Sequence, residues 1–422
     1  MSLVHTIHFS PATSSRRRFP AHSIASLRRR VFPVRASLPF PTQKAKYHRE
    51  LEAAVGIVER ACRICVDVNC FPHLLSFFNF TLLFGSWENF DTGNGDGIGQ
   101  VQSSLLSSDG GIVEKKDNTP VTIADFGVQA LISLELGKLF PSIPLVAEED
   151  SGFVRANNLV DSVVSVVNDK RSSSEPLSDD VVLEAIDRGG SAAYLYGKSP
   201  ATYWILDPID GTKGFLKGCG ALYVVGLALV VEGEIVLGVM GCPNWQNSGD
   251  SLGSVMIAHT GHGTWNKTLQ VSNDWSRCLV DGCSVVPEAR FCIPESQSWD
   301  SLPLSRSFTA KNDADSLGDN EIHLLTTCCG SLCKYLMVAS GRASMYIQAQ
   351  RDTAIKAWDH AVGMLCVHEA GGRVTDWEGG ELDLAADQVE RRIIYPPGGI
   401  LVTNGKIHDQ ILEMISFSSS TV

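Results

Sequence analysis

The sequence predicts a mixed α/β fold, because stretches with helical spacing alternate with apolar runs of the β type. Residues 43–68 place apolar side chains on one helical face, and an amphipathic helix begins again at Ile123. The run 203–206 is typical of a buried strand, and residues 223–232 and 234–240 indicate two strands joined by a Glu-Gly turn. The 422 residues, 44% of them apolar, suffice for one large domain or two medium ones.

The stretch after the strand at 203–206 carries the strongest chemical signal. Asp207 and Asp210 flank Pro208, which fixes φ and predicts that sheet pairing ends there in a turn. Two carboxylates this close repel each other unless a cation lies between them. Their oxygens, with the free backbone carbonyl of Ile209, suit Mg²⁺. The alternative is a capped turn, in which Asp210 accepts hydrogen bonds from the N–H groups of a following helix.

Three further carboxylates open a helix or follow a strand. Asp125 lies in the first turn of the second helix, and Glu148 follows a short strand at 144–147. Asp359 lies two residues inside a predicted helix over 357–370, which ends at a Gly-Gly pair. Each alone fits a helix-dipole contact or a solvated loop. Together, the acidic groups are typical of the ligands of a multi-metal phosphoryl-transfer site.

Residues 1–36 differ in composition from the rest, with seven arginines and many serines, and the first carboxylate is Glu50. This is typical of an organelle transit peptide, with a basic arm for nucleic acid as the alternative. The arginine triplets favour a mitochondrial address over a chloroplast one. Without the segment the formal charge changes from −12 to −19, since seven positive and no negative charges leave. We therefore expect no nucleic-acid or membrane partner, and metal ions to neutralise the site for an anionic substrate.

Twelve cysteines are scattered along the chain, and one pair, Cys62 and Cys65, has CxxC spacing. No second such pair exists to complete a zinc site. The pattern predicts mostly buried thiols in a reducing compartment, with a redox switch as the alternative.

The helical pattern that begins at residue 43 fails at Asn69 and resumes only near Val101. The residues between are aromatic first and glycine-rich afterwards. We interpret 69–100 as an atypical insertion that has no chemistry of its own and makes few contacts with the motifs. Its apolar run contains Pro72 and polar residues, so it does not predict a membrane span.

Weaker patterns complete the chain. We expect strands at 255–259, 263–265, 345–349, 373–376 and 400–404, a helix at 328–338, a turn at 242–244 and a domain boundary near 244–254.

Several segments together resemble a known family. They are DPIDGTKGF at 207–215, VAEED at 146–150, PVTIADFGVQAL at 120–131, KAWDHAVG at 356–363 and EAGGRVTDWEG at 369–379. By these motifs, over about residues 43–68 and 101–415, the chain resembles the inositol monophosphatase superfamily. It is most similar to the 3′(2′),5′-bisphosphate nucleotidase branch of the plant organellar type, whose members act on 3′-phosphoadenosine 5′-phosphate (PAP).

The resemblance implies a layered α/β/α/β/α sandwich. Its N-terminal α+β domain, which binds metal, would span 43–250, and its C-terminal α/β domain would span 251–422. The implied ligands of two or three Mg²⁺ ions are Glu148, Asp207, the Ile209 carbonyl, Asp210 and Asp359. The implied proton-handling pair is Asp125 and Thr212, and the implied substrate contacts are Thr212, Ser331, Lys334 and Asp359.

The implied function is removal of the 3′-phosphate of PAP to give AMP and phosphate, with the sulfated form of PAP as a further expected substrate. The sequence departs from the family pattern where an arginine is expected and Gln348 stands; Arg351 is the nearest replacement. The family histidine near the substrate is also missing around 292–300, where Gln297 is the nearest polar residue. Two alternatives stay open: an inositol phosphate phosphatase, and a catalytically silent nucleotide-binding homologue.

Overall fold

The computed structural model describes most of the chain from residue 38 onward. The described residues are 38–41, 45–83, 112–114, 120–171, 175–218, 220–246, 252–269, 274–295, 297–305, 323–328, 330–350 and 354–420. The expected transit segment at 1–36 lies outside them, as do the expected insertion beyond Leu83 and Arg351. Residues 36–422 belong to one compact unit.

The elements alternate as the patterns predict. The helices are α1 (His48–Leu83), α2 (Ile123–Leu139), α3 (Ser151–Ala156), α4 (Val160–Lys170), α5 (Asp179–Asp187), α6 (Thr212–Lys217), α7 (Ser331–Ala339), α8 (Ala361–Glu369) and α9 (His408–Ser420). The first strands are β1 (Ile112–Glu114), β2 (Pro120–Thr122), β3 (Leu145–Ala147), β4 (Tyr203–Asp210), β5 (Val224–Val231), β6 (Glu234–Gln246), β7 (Leu252–His259), β8 (Gly263–Thr268) and β9 (Ser276–Cys278). The later strands are β10 (Arg290–Pro294), β11 (His323–Thr327), β12 (Met345–Ala349), β13 (Ile355–Lys356), β14 (Arg373–Asp376), β15 (Ile393–Ile394) and β16 (Gly399–Thr403).

Seven strands form the larger sheet, in the order β3-β4-β5-β6-β7-β8-β9. β3 runs parallel to β4, and each later strand pairs antiparallel with the one before it. Glu232 and Gly233 both have positive φ and join β5 to β6. Positive φ at both central residues suits the right-handed twist of a tight hairpin, so the predicted Glu-Gly turn is confirmed.

Two predicted turns in this sheet are wrong. β4 does not end at Pro208 but continues to Asp210. Its register with β5 shifts at this point, so the sheet requires no hydrogen bond from the nitrogen of the proline. β6 likewise runs through the predicted turn at 242–244, with a register shift against β7 between Cys242 and Gln246. In both places a strand irregularity takes up residues whose local pattern suggested a turn.

The sheet also bears on the expected division at residues 250 and 251. β7, β8 and β9 lie beyond that point yet belong to the same sheet as β6. If the chain is divided by its sheets, the change falls between Cys278 and Arg290.

The two faces of the larger sheet are covered by different helices. Successive side chains of a strand point to opposite faces, so Trp204 and Leu206 pack in one apolar cluster with residues of α1 and α2. Tyr203 and Ile205 pack in another cluster, with residues of α7 and α8.

The smaller sheet has the strand order β11-β10-β12-β16-β14. One of its faces joins the cluster of α7 and α8, through side chains such as Tyr346 and Val402. Its other face packs against α9, where Ile411 and Ile415 contact a cluster that includes Phe291 and Met345. Helices, sheet, helices, sheet and helix therefore follow one another, and the expected α/β/α/β/α sandwich is confirmed.

The predicted break of helix α1 at Asn69 is wrong, since the backbone stays helical to Leu83. The amphipathic pattern does fade there and Pro72 follows within one turn, yet the backbone remains helical. Among the helices that the structure describes, none has the length and apolar character needed to cross a membrane.

The described cysteines match the prediction in most cases. The buried free thiols among them are Cys62, Cys65, Cys242, Cys278, Cys292, Cys333 and Cys366, and Cys283 is a half-buried free thiol. Cys328 differs, because its sulfur is part of a disulfide. The chain therefore does not hold all its cysteines as thiols.

The contact between α7 and α8 yields a stability prediction. A Cβ at Gly363 would lie 2.3 Å from Cγ of Tyr335, whereas a Cβ at Gly56 of α1 would have only the Arg60 side chain within reach, at 3.9 Å. We expect Gly363→Ala to destabilise the protein by about 1–3 kcal/mol through overpacking. The matched change Gly56→Ala should stabilise it by up to about 1 kcal/mol, through helix propensity. Thermal unfolding tests the pair, and shifts in the same direction would contradict this packing.

Candidate active site

The end of β4 brings two carboxylates to the same face of the sheet. Residues three apart on a regular strand point to opposite faces. Here Asp207 pairs with Gly226 and Asp210 with Val224, so three steps along β4 match two along β5. This bulge supplies one extra residue, which turns Asp210 towards the same side as Asp207.

A third carboxylate completes a compact cluster. Oxygen atoms of Asp207, Asp210 and Asp359 all lie within 4.8 Å of one another. Asp359 lies in the turn before α8. The sequence pattern had placed it inside the helix, and that prediction is wrong. Glu148 follows β3, which is the parallel neighbour of β4, and its charge acts on both Asp207 and Asp359. The structure thus brings three of the predicted acidic ligands into one cluster and places the fourth, Glu148, near enough for its charge to act on two of them.

Burial and mutual repulsion disfavour the ionised forms of these groups. Burial is the main cause that raises the pKa of Asp207, and the charges of Glu148, Asp210 and Asp359 add to it. The pKa of Asp359 is raised in the same way, first by burial and then by Asp210 and Glu148. Burial also raises the pKa of Asp210, to about 6, although Lys334 and backbone N–H groups oppose the shift.

Asp210 has a second role that the sequence left as an alternative. Its Oδ1 accepts the backbone N–H of Ser331 at 2.9 Å, and its Oδ2 accepts that of Cys333 at 3.3 Å. Both N–H groups belong to the first turn of α7, where a negative charge also meets the positive end of the helix dipole. Asp210 therefore does cap a helix, as the alternative predicted. The capped helix is α7, which begins about 120 residues later in the chain and does not directly follow Asp210.

Gly330 makes this contact possible. A Cβ there would lie 2.1 Å from Oδ2 of Asp210, which is too close for any residue with a side chain at this position. The glycine therefore lets the start of α7 approach the end of β4.

The residues present fit a hard metal ion. Oδ1 of Asp207 is buried and has no hydrogen-bond partner among the described residues. An ionised oxygen in that position is costly unless a cation or a proton meets it. The donors are carboxylate oxygens with no cysteine or histidine among them, which suits Mg²⁺ or a similar ion. The backbone carbonyl of Ile209 lies between the two aspartates of β4.

Next to the cluster lies the second predicted pair. The Thr212 hydroxyl lies 3.3 Å from Oδ1 of Asp125 and 3.1 Å from the Ile209 carbonyl. Oδ2 of Asp125 accepts the backbone N–H of Thr122 at 2.8 Å and the hydroxyl of Thr122 at 2.6 Å. Asp125 is therefore held at both oxygens, and only one of them faces Thr212.

Thr122 was missed by the sequence reasoning, although its signal was present. Thr122 and Asp125 have the spacing of a capping box, and the Thr122 hydroxyl accepts the N–H of Ala124 at the start of α2. The same box that begins the helix thus orients the carboxylate.

The predicted substrate contacts lie around the start of α7. Ser331 donates from its hydroxyl to Oε1 of Gln348 at 3.5 Å, and the Tyr346 hydroxyl donates to the same oxygen. Lys334 is only 3% exposed, and its Nζ donates to the Gly330 carbonyl at 2.6 Å. Gln348 is thus close to Ser331, where the family arginine was expected.

Comparisons with known proteins show which proteins this chain is similar to. A family model described as the inositol monophosphatase family matches residues 86–420. An Arabidopsis thaliana protein, provisionally named 3′(2′),5′-bisphosphate nucleotidase, mitochondrial, is 60% identical over 406 residues, and the match covers 94% of each chain. A second Arabidopsis thaliana protein, 3′,5′-bisphosphate nucleotidase 2, is 35% identical over 337 residues, which cover 75% of this chain and 90% of that protein. Among solved structures, a Thermotoga maritima IMPase is 18% identical with a TM-score of 0.49, covering 88% of this chain and 99% of that one.

The layered fold and the oxygen-only cluster define a metal-dependent phosphatase. The family model spans most of the chain and a relative matches nearly all of it at 60% identity. The chain belongs to the inositol monophosphatase family.

The cluster predicts a gain in stability when one charge is removed. We expect Asp207→Asn to stabilise the metal-free protein at pH 7, because a neutral amide does not bear the burial cost and the repulsion that disfavour the ionised carboxylate. Asp210→Asn should gain less, because its amide nitrogen would face an N–H group of α7. Mg²⁺ should raise the melting temperature of the wild type and leave that of Asp207→Asn unchanged.

The pH dependence gives this prediction a second readout. A carboxyl group whose pKa is raised by folding favours the folded state below its unfolded pKa, and that contribution is lost as the pH rises through the folded pKa. For Asp210 the window runs from 3.8 to about 6. The metal-free wild type should lose stability across this range and Asp207→Asn should lose less. Equal pH profiles, together with equal responses to Mg²⁺, would contradict the cluster.

Proposed function

We propose that this protein is a Mg²⁺-dependent 3′(2′),5′-bisphosphate nucleotidase that removes the 3′-phosphate of PAP and leaves AMP. The proposal is carried by the convergence of Asp207, Asp210 and Asp359 on one point beside the Asp125 and Thr212 pair. The names of the two Arabidopsis relatives support the nucleotide substrate. The sulfated form of PAP belongs to the same proposal, since it carries the same 3′-phosphate.

Glu148, Asp207, Asp210, Asp359 and the Ile209 carbonyl would hold the metal ions. When bound, the metal supplies charge neutralisation for the phosphate and a lowered pKa for a coordinated water. Binding it also relieves the repulsion among the carboxylates. An anionic substrate could not approach these acids otherwise, since the chain carries a formal charge of −12.

Thr212 and Asp125 would handle the proton of the attacking water. The Thr212 hydroxyl can donate its hydrogen to Oδ1 of Asp125 while its lone pairs accept a hydrogen bond from the water. Thr122 occupies the other oxygen of Asp125, so a proton that arrives by way of Thr212 reaches Oδ1. The two residues thus orient the water and accept its proton.

Ser331 and Lys334 are the proposed contacts of the remaining substrate groups. Ser331 lies at the start of α7 next to Gln348, so its hydroxyl borders the space beside the carboxylates. Lys334 is held between the Gly330 carbonyl and the face of the Tyr346 ring, 5.6 Å from the ring centre. In that position it contributes positive charge that also lowers the repulsion at Asp210.

The proton-handling role predicts the behaviour of a matched pair of variants. Thr212→Ala should lower kcat by about 10²–10⁴, the usual range for loss of general acid–base assistance. Thr212→Ser keeps the hydroxyl and should stay within about tenfold of the wild type. Both variants should keep the rise in melting temperature with Mg²⁺, because neither removes a carboxylate. Near-normal turnover in Thr212→Ala would contradict the role of the pair.

A second candidate function is hydrolysis of inositol phosphates, and Gln348 is the observation that favours it. PAP carries a 5′-phosphate that needs a cationic partner away from the metal, and a glutamine at the arginine position offers no charge there. Phosphate release from PAP and from inositol 1-phosphate, each with and without Mg²⁺, separates the two functions. Faster release from PAP supports the nucleotidase, and faster release from inositol 1-phosphate overturns it.

Gln348→Arg tests how the substrate is recognised. The new guanidinium should lower KM for PAP by about tenfold, the effect of one hydrogen bond between charged groups, with kcat little changed. Hydrolysis of inositol 1-phosphate, which lacks the second phosphate, should not respond. An unmoved KM for PAP would show that position 348 does not face the 5′-phosphate.

We also propose a mitochondrial location, supported by the arginine-rich segment at 1–36 and by the name of the 60% identical relative. A fusion of these 36 residues to a fluorescent protein should be imported by isolated mitochondria. The matched fusion with both arginine triplets changed to glutamine should not. Import by chloroplasts instead would select the alternative address.

A further inference from the structure

A cleft of about 780 Å³ lies at the opposite end of the larger sheet from the carboxylates. Its walls include Leu145, at the start of β3, and Thr202, just before β4. Because these strands are parallel, both begin at the edge of the sheet that faces away from Asp207 and Glu148. Five residues of extended chain separate Thr202 from Asp207, or roughly 16 Å. The cleft is therefore separate from the proposed active site.

The lining is polar and apolar in about equal parts and carries a single charge. Its residues are Ser133, Leu136, Gly137, Pro141, Ser142, Ile143, Pro144, Leu145, Arg188, Ala192, Tyr194, Tyr196, Pro200, Ala201 and Thr202. Arg188 is the one charged residue among them, and the set contains no carboxylate. A cleft of this volume, with aromatic and aliphatic side chains beside its polar groups, is large enough to hold a small molecule.

Two hydroxyl groups in the wall lack partners. The side-chain oxygens of Ser133 and Tyr196 are buried and have no hydrogen-bond partner among the described residues. Ser133 as a whole is only 1% exposed. Burial raises the pKa of Tyr196, so its hydroxyl keeps its hydrogen and can donate it. Unsatisfied buried hydroxyls are costly, so a local shift that brings them into contact with a bound ligand would be favourable.

Arg188 is positioned by α2. Its Nη1 donates to the backbone carbonyl of Ser133 at 2.8 Å. Among the described residues, no carboxylate forms an ion pair with Arg188. Gly137 makes room for it, since a Cβ there would lie 2.1 Å from Nη1. The guanidinium thus lies against the backbone of α2 at Ser133.

Aromatic rings form one side of the same cleft. The rings of Tyr194 and Tyr196 meet edge to face, with centroids 5.1 Å apart, and Tyr196 is at the same distance from Tyr203 behind it. Tyr194 is 61% exposed, so a ligand can reach its ring. Exposed tyrosine rings commonly offer contact area to flat, apolar groups.

We propose that this cleft binds a small molecule with a flat, apolar body and one anionic group. The Arg188 guanidinium and the hydroxyls of Ser133 and Tyr196 receive a carboxylate, sulfonate or phosphate. The tyrosines and the aliphatic side chains receive the body. The site does not depend on the proposed phosphatase activity.

A pair of fluorescent probes that differ by one anionic group tests the site. 8-Anilino-1-naphthalenesulfonate has the flat body and a sulfonate, and N-phenyl-1-naphthylamine has the same body without the charge. The full-length protein should bind the sulfonate at one saturable site, about tenfold more tightly than the neutral probe. Arg188→Gln should reduce this preference to less than twofold, and Gly137→Ala should act in the same way by displacing the guanidinium.

Controls separate this site from general charge effects and from the active site. Lys138→Gln removes an exposed positive charge next to Gly137 without touching the cleft, and it should keep the wild-type preference. Asp207→Asn should also keep it. A melting temperature equal to that of the wild type would show that Arg188→Gln is folded. The proposal is overturned if binding does not saturate, if Arg188→Gln keeps the tenfold preference, or if Asp207→Asn abolishes it.

Discussion

Repulsion among buried carboxylates is the constraint on which the rest of this structure depends. Three of them lie within 4.8 Å of one another, and Glu148 acts on two of the three. Such a group is unfavourable in an isolated fold unless cations or protons compensate it. Because the carboxylates come from β4, the end of β3 and the turn before α8, the layered packing has to overcome their repulsion to bring them together.

Two local devices make that approach possible. The bulge around Pro208 turns Asp210 to the side of Asp207, and the first turn of α7 offers its N–H groups to the Asp210 carboxylate. Asp210 consequently joins the larger sheet to the helical layer behind it, and Gly330 lets the two meet. The capping box of Thr122 and Asp125 plays a comparable part, since it begins α2 and also orients the carboxylate towards Thr212. The same hydrogen bonds thus build the fold and arrange the site.

The sequence predicted what is local and what a specific motif carries. Helical spacing and β-type runs located α2, β4, β5 and β6, and the motifs named every acidic residue that the structure brings together. Most of the errors concern features set by contacts distant in sequence. Pro208 remains in a strand because the register with β5 shifts, and Asp359 lies in the turn before α8, which begins only at Ala361. Asn69 continues α1 because a fading apolar pattern does not prevent a helical backbone. The partner of the Asp210 cap in α7 could not be read from residues that lie next to Asp210.

The central claim is that the carboxylates at the end of β4 form a metal centre. Anomalous diffraction from crystals soaked in Mn²⁺, which replaces Mg²⁺ at oxygen sites, tests it most directly. The account predicts an anomalous peak within bonding distance of oxygens of Asp207, Asp210 and Asp359, and no such peak in Asp207→Asn. A wild-type crystal in which Mn²⁺ binds elsewhere and leaves these three carboxylates without an ion would contradict it.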